Sequence, residues 1–128
     1  MRIVGHGVDI VDLAELTQLR RRPYFDERCF TDAERHESTD SANLTAFLAG
    51  RFAAKEAILK ALSIGLIDGI AWHDIEVRRA SSGAPAVALT GGVAKLAAAQ
   101  GVTDIFISIS HTEALAIASA ITVAAGDG

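Results

Sequence analysis

The chain contains one cysteine, Cys29, so no intrachain disulfide can form, and no Cys-x-x-Cys pair or Cys/His cluster offers zinc-ligand spacing. That usage suits a reducing compartment, and a cytoplasmic location is expected. Aromatic residues are few, with five phenylalanines, one tyrosine and one tryptophan. Alanine and glycine abound instead, which predicts a core of small aliphatic side chains packed at short backbone separations. Positive charge is in deficit: a net charge of -4 excludes a general attraction to nucleic acid or anionic membrane, though not a local basic patch. The longest apolar tract, Ala114 to Ala125, is interrupted by Ser119 and Thr122 and falls short of the roughly 20 residues a membrane-spanning helix needs. No signal peptide is expected at the start. Walker and Rossmann glycine loops, a Ser-His-Asp arrangement and aromatic-basic interleaving are all missing.

What remains is 128 residues, half of them hydrophobic. That is enough to bury one core without disulfides or a structural metal, so a single domain over 1–128 is expected, in a subunit small enough to self-associate. Arg2 to Val11, rich in Ile and Val with Gly5 and Gly7 inside it, predicts a central strand closely approached by another backbone. Asp12 with Glu15 predicts a helix start, and that helix stops before Pro23. Thr31-Asp32-Ala33-Glu34 offers a second capped turn. From Ser41 to Gly65, Leu44, Phe47, Leu48, Phe52, Leu59 and Leu62 recur at helical spacing on one side, with Gly65 as the terminator and Gly50 marking another close backbone. Trp72 to Arg79 and Ala86 to Thr90 predict a hairpin, Gly92 to Gln100 a helix, and Asp104 to Ser110 and Leu115 to Val123 two further strands. The class is α+β.

Four groups of residues call for chemistry. Gly5, Gly7 and Asp9 share one strand face, so the Asp9 carboxylate stands at the end of a row without bulk. It reads either as a cap or as a ligand for a cation or polar substrate, with the glycines leaving room for it. Glu56 and Lys60, four apart on the long helix, read as a surface ion pair or, given the small and apolar residues around them, as part of a covered site. Ser108-Ile109-Ser110-His111-Thr112 closes a strand with three hydroxyls and an imidazole, suited either to packing or to phosphate oxygens. Arg20, Arg21, Arg22 and Arg28 form a basic cluster in an acidic chain, either a solvated face or a docking patch for an acidic partner.

Gly7-Val8-Asp9, Phe52-Ala53-Ala54-Lys55-Glu56-Ala57-Ile58-Leu59-Lys60 and Ser108-Ile109-Ser110-His111-Thr112, in that order, resemble the short bacterial holo-acyl-carrier-protein synthases. The likeness extends to Phe25-Asp26-Glu27-Arg28, Leu48-Ala49-Gly50-Arg51-Phe52, Asp74-Ile75-Glu76-Val77 and Gly83-Ala84-Pro85. It implies a 4'-phosphopantetheinyl transferase fold: a small antiparallel sheet of mixed order packed against one long and two or three short helices. It implies transfer of phosphopantetheine from coenzyme A to a serine of apo-acyl carrier protein or a carrier domain, for fatty acid biosynthesis, with release of adenosine 3',5'-bisphosphate. The implied metal is Mg2+, with Mn2+ as an alternative, held by Asp9 and Glu56. The implied base is either Glu56 or a coordinated water, and Lys60 would offset charge on the leaving phosphate.

By the same likeness, Lys55, Lys60, Gly65, Ser110, His111 and Thr112 would contact coenzyme A, and Arg20, Arg21 and Arg28 would dock the carrier. A homotrimer with active sites between subunits is implied as well. Two positions depart from the family pattern: Leu59, where a serine is common, and His6, where an aliphatic residue is common. A magnesium-dependent phosphohydrolase and a non-enzymatic carrier-binding trimer are the competing expectations.

Overall fold

The computed structural model describes residues 1–38, 43–65 and 69–126. Strand β1 (Arg2–Asp12) leads into helix α1 (Leu13–Leu19), then α2 (Phe25–Cys29), α3 (Asp32–Ser38) and the long α4 (Leu44–Ala61). A turn of 3-10 helix (Trp72–Asp74) precedes β2 (Ile75–Arg79) and β3 (Pro85–Leu89), followed by α5 (Gly91–Ala99), β4 (Val102–His111) and β5 (Leu115–Ala124). The strands form two antiparallel sheets, one of three strands in the order β1-β5-β4 and one the β2-β3 hairpin. The α+β class holds, with four short helices beside the long one among the described residues.

Local chemistry accounts for the boundaries. Asp12 ends β1 and caps α1, its Oδ1 accepting from the Ala14 and Glu15 amides at 2.8 and 3.1 Å. Thr31 and Glu34 close a reciprocal capping box on α3: the Glu34 amide donates to the Thr31 hydroxyl and the Thr31 amide to the Glu34 carboxylate. The five-residue α2 carries no periodicity to read. It is held by packing, because Phe25 and Phe30 stack with Phe52, and Phe52 in turn with Trp72, at ring separations of 5.0–6.4 Å. Trp72 therefore sits in a 3-10 turn rather than at the start of the predicted strand.

Helix α4 differs from its expected form in three respects. Its cap is Asn43, whose side chain accepts from the Ala46 amide; the predicted start at Ser41 lies outside the described residues. Its terminating residue is Ser63, just past the Leu62 cap, not Gly65: Ser63 takes a left-handed φ of 57°, its amide donates to Lys60 O and the Ile64 amide to Leu59 O, which satisfies the last carbonyls in a Schellman motif. Nor is it amphipathic. Ala46, Leu48, Ala49, Ala53, Ala54, Ala57, Ile58, Leu59 and Ala61 are buried around most of its circumference, as expected of a helix enclosed on several sides.

The reason is the surface on which α4 lies. The inner face of β5 is a column of Ala116, Ala118, Ala120, Thr122 and Ala124, all buried. On β1, a Cβ added to Gly5 would stand 1.9 Å from Ala61 O, and one added to Gly7 2.1 Å from Ala57 O. The space read in sequence as room for a ligand beside Asp9 is therefore filled by the α4 backbone, while the expectation of a close backbone is met. At Gly50 an added Cβ would meet a side chain, Ile109 Cγ2 at 2.9 Å, rather than a backbone.

Among the described residues, nothing covers the opposite face of the three-stranded sheet in this way. Ile3, Val8, Ile10, Phe106, Leu115 and Ile117 are exposed there, Ile10 to 59% and Phe106 to 56%. His6 pairs with Ile121, opposite in turn to Phe106, on that outer face and away from Asp9.

Glu34 and Lys55 form a fully buried ion pair at 2.7 Å. Glu34 also accepts from the Thr31 and Val77 amides, and Lys55 also donates to the carbonyls of Cys29 and Trp72. Burial pulls the Lys55 pKa down, and Glu34 opposes the shift. The thiol of Cys29 is pushed up to about 11, chiefly by burial.

Two outcomes follow for stability. Gly7→Ala forces a methyl against the Ala57 carbonyl, and urea titration should show a loss of about 3 kcal/mol or more. Lys55→Met leaves the Glu34 charge buried and unpaired and should cost about 3–5 kcal/mol, with Glu34→Gln/Lys55→Met recovering part of that loss.

Candidate active site

The sheet and α4 bring Asp9, Glu56 and Lys60 together. Asp9 points inward from β1, past the two glycines that seat the helix, and its side chain is 18% exposed. Lys60 Nζ donates to Asp9 Oδ1 at 2.8 Å and to Val8 O at 3.0 Å. Glu56 lies one helical turn before Lys60, and with Asp9 it lines a cleft of about 180 Å3 shared with Asp12, Glu15, Leu16, Leu19 and Phe52. Since Asp12 already caps α1, no capping role is left for Asp9. Burial raises the Glu56 pKa, the Asp9 charge raises it further and Lys60 pulls it back. The Lys60 pKa is raised by its hydrogen bond to Asp9.

Two carboxylates held close, with one ammonium between β1 and α4, leave negative charge only partly compensated. Among the described residues no three His, Cys, Asp or Glu side chains converge to hold a metal by themselves. The donor set nonetheless fits a magnesium-type ion: Mg2+ takes hard oxygen ligands, keeps several waters, and usually needs only one or two carboxylates when phosphates supply the rest.

A second, larger groove of about 450 Å3 lies where α4 meets β4 and the hairpin turn. Asn43, Phe47, Gly50, Arg51, Arg79, Gly83, Pro85, Ile109 and His111 line it. Arg51 is its chief cation. The guanidinium stands 4.1 Å over the Phe47 ring, reaches Glu37 at 3.7 Å, and its side chain is 9% exposed, with Nε left without a hydrogen-bond partner among the described residues. Burial lowers its pKa, against the pull of Glu37. An arginine fixed on an aromatic ring with an unspent donor is suited to a phosphate oxygen. Arg51 and Arg79 carry no assignment from the sequence; the signal available was a cation lodged between Gly50 and Phe52 in an otherwise small, apolar run.

The remaining predicted residues are scattered. His111 lines the large groove, but Ser110, its neighbour on the strand, faces the other side of the sheet in a small pocket with Val8, Ser108, Ile117 and Ser119. The Thr112 hydroxyl accepts from the Ala114 and Leu115 amides and so holds the β4–β5 turn. Gly65 is exposed beyond the end of α4, with no atom within 4 Å of its would-be Cβ.

Lys55 is a correction. All three of its ammonium protons are spent, on Glu34, Cys29 O and Trp72 O, in a side chain with no exposure, so no donor is left for a phosphate. Arg20 is likewise committed, with Nε and Nη2 on Asp26 and Nη1 on Thr45, tying α1 to α2 and α4. Arg21, Arg22 and Arg28 are exposed.

Known proteins resemble this arrangement over almost the whole chain. The family model for the 4'-phosphopantetheinyl transferase superfamily matches residues 5–118. The holo-[acyl-carrier-protein] synthase of Beutenbergia cavernae is 48% identical over 123 residues, covering 95% of this chain and 97% of its own. That of Clavibacter sepedonicus is 46% identical over 125 residues, covering 97% and 98%. The solved holo-(acyl-carrier-protein) synthase of Bacillus anthracis, in complex with CoA (3',5'-ADP), superposes with a TM-score of 0.80 at 32% identity, over 98% of this chain and 100% of that one. By matched length, identity and fold alike, the chain belongs to the 4'-phosphopantetheinyl transferase superfamily.

Proposed function

We propose that the chain is a holo-acyl-carrier-protein synthase acting as one domain over 1–128. It transfers 4'-phosphopantetheine from coenzyme A to a serine of an apo-acyl carrier protein. The observation that carries this reading is the meeting of Asp9 and Glu56 in one cleft, with Lys60 bonded to Asp9 beside it. A divalent ion, Mg2+ in this reading, would be held there by Asp9 and Glu56 with the coenzyme's pyrophosphate, from which it withdraws charge.

The serine hydroxyl attacks the phosphorus that carries the pantetheine. An O–P bond to serine forms, the bridging P–O bond breaks, and adenosine 3',5'-bisphosphate leaves. The proton from serine passes to Glu56, directly or through a water; a carboxylate whose pKa is already raised is the better acceptor. Lys60 lies one turn along α4, where its ammonium can offset charge growing on the leaving phosphate. In the large groove, Arg51, Arg79 and His111 suit the nucleotide phosphates.

The two pockets share no lining residue, and they belong to opposite edge strands of one sheet, β1 and β4. In this reading a second copy sets the nucleotide groove of one chain beside the carboxylates of another. The exposed apolar face of the sheet, with Val8, Ile10, Phe106 and Ile117, supports a trimer closed through that face. Arg21, Arg22 and Arg28 suit an acidic carrier surface, while Arg20 is held by Asp26 and Thr45. No helix among the described residues is long and apolar enough to cross a membrane, and cytoplasmic action is proposed from the single buried thiol.

The test mixes the protein, coenzyme A, Mg2+ and an apo-carrier domain and weighs the carrier. A gain of about 340 Da is expected; no gain, or phosphate release without a carrier, counts against the transferase. Asp9→Ala should abolish the gain, and Arg51→Ala should raise the KM for coenzyme A about tenfold or more, as loss of a charge-assisted contact does.

Stability should respond to Glu56 with a definite sign. A folded-state pKa above the unfolded value means that the folded chain holds the proton more tightly, so stability falls as pH rises through the unfolded and then the folded value. In metal-free buffer, Glu56→Gln should therefore be more stable than the parent at neutral pH. Thermal unfolding should show the gap narrowing as the pH falls through the folded and then the unfolded value, and closed below about 4, where the parent carboxyl is protonated in both states.

A further inference from the structure

Lys60 differs from the other cations of α4. Its ammonium crosses to β1 and donates to Asp9 Oδ1 and Val8 O, yet its side chain is 52% exposed. Two acceptors hold it, and it can leave them without opening the core. The atom it occupies, Asp9 Oδ1, belongs to the carboxylate that the proposed function gives to a divalent ion. An ammonium and a dication on that one carboxylate would stand a few ångströms apart and repel.

The charges also match an exchange. Asp9 and Glu56 carry two negative charges, and Lys60 cancels one. A dication in place of the ammonium cancels both and frees the lysine beside the expected pyrophosphate. Resting on that metal reading, we infer that Lys60 is the resident counter-ion of the Asp9–Glu56 pair and trades places with the incoming divalent metal. Metal entry and release of the Lys60 ammonium toward the phosphates are then a single event. Lys60 keeps the carboxylates from repelling in the free protein, weakens metal binding there, and becomes a phosphate ligand only once the ion has arrived. This orders the loading of the site, with the ion engaging before or together with coenzyme A.

The test needs no turnover. Mn2+ is titrated into the metal-free, full-length protein without coenzyme A, and the free ion is followed by electron paramagnetic resonance. Lys60→Met keeps the stem and removes the charge, and it should bind Mn2+ up to about fivefold more tightly, the equivalent of about 1 kcal/mol for an exposed ion pair. Lys60→Arg should stay near the parent. Binding by Lys60→Met that is equal to or weaker than the parent's overturns the exchange. A parent affinity that Asp9→Asn leaves untouched, or no Mn2+ site at all, overturns instead the metal reading on which it rests. Since Lys60 is exposed, thermal unfolding should find both Lys60 variants folded.

Discussion

The structure depends on how closely α4 can lie on β1. Gly5 and Gly7 present bare backbone to the carbonyls of Ala61 and Ala57, and the alanine column of β5 continues that shallow floor under the helix. Large side chains there would lift α4 and lengthen the reach between Asp9 and the residues opposite it. Lys60 spans the gap to Asp9 and Val8 with ordinary hydrogen-bond lengths because the helix sits so low. The scarcity of aromatic residues has the same origin. A floor of glycine and alanine excludes them, and four of the seven gather instead in the cluster of Phe25, Phe30, Phe52 and Trp72 beside it.

Helix α4 also shows how burial sorts like charges into different tasks. Lys55, without exposure, is spent on Glu34 and two carbonyls and joins α2, α3, the 3-10 turn and β2 to the helix. Arg51, nearly buried, is steadied by Phe47 and Glu37 but keeps an unpartnered nitrogen. Lys60, half in water, holds its partner on β1 loosely. Only the second and third have anything left to offer a ligand, and the core could not be assembled without the first.

Much of this was legible in the sequence, because the carboxylates and Lys60 fall in short contiguous motifs and α4 fixes the spacing of Glu56 and Lys60. The strands and both capping sites were readable for the same reason: their determinants are local. What was not readable depends on the third dimension. A glycine in a strand signals an empty place without saying whether a ligand or a helix fills it, and only the fold shows the carbonyls of Ala57 and Ala61 there. Lys55 and Glu56 are adjacent charged residues in the sequence, and nothing local says that Glu34, 21 positions before Lys55, claims the lysine. Arg51 gains its setting from Phe47, Glu37 and the distant His111 groove. Ser110 and His111 are the exception, since the two-residue period of a strand already separates their faces.

Glu56 leans toward β1 and Arg51 toward β4, at opposite margins of the sheet that α4 crosses. Any turn of the helix about its own axis that advances one side chain withdraws the other. The azimuth of α4 is therefore a shared setting that neither pocket can retune alone, and Lys55, clamped in the core between them, acts as its pin. Sequence drift should be freest where it leaves that angle alone, on the solvent side of α5, and narrowest among the small residues beneath the helix.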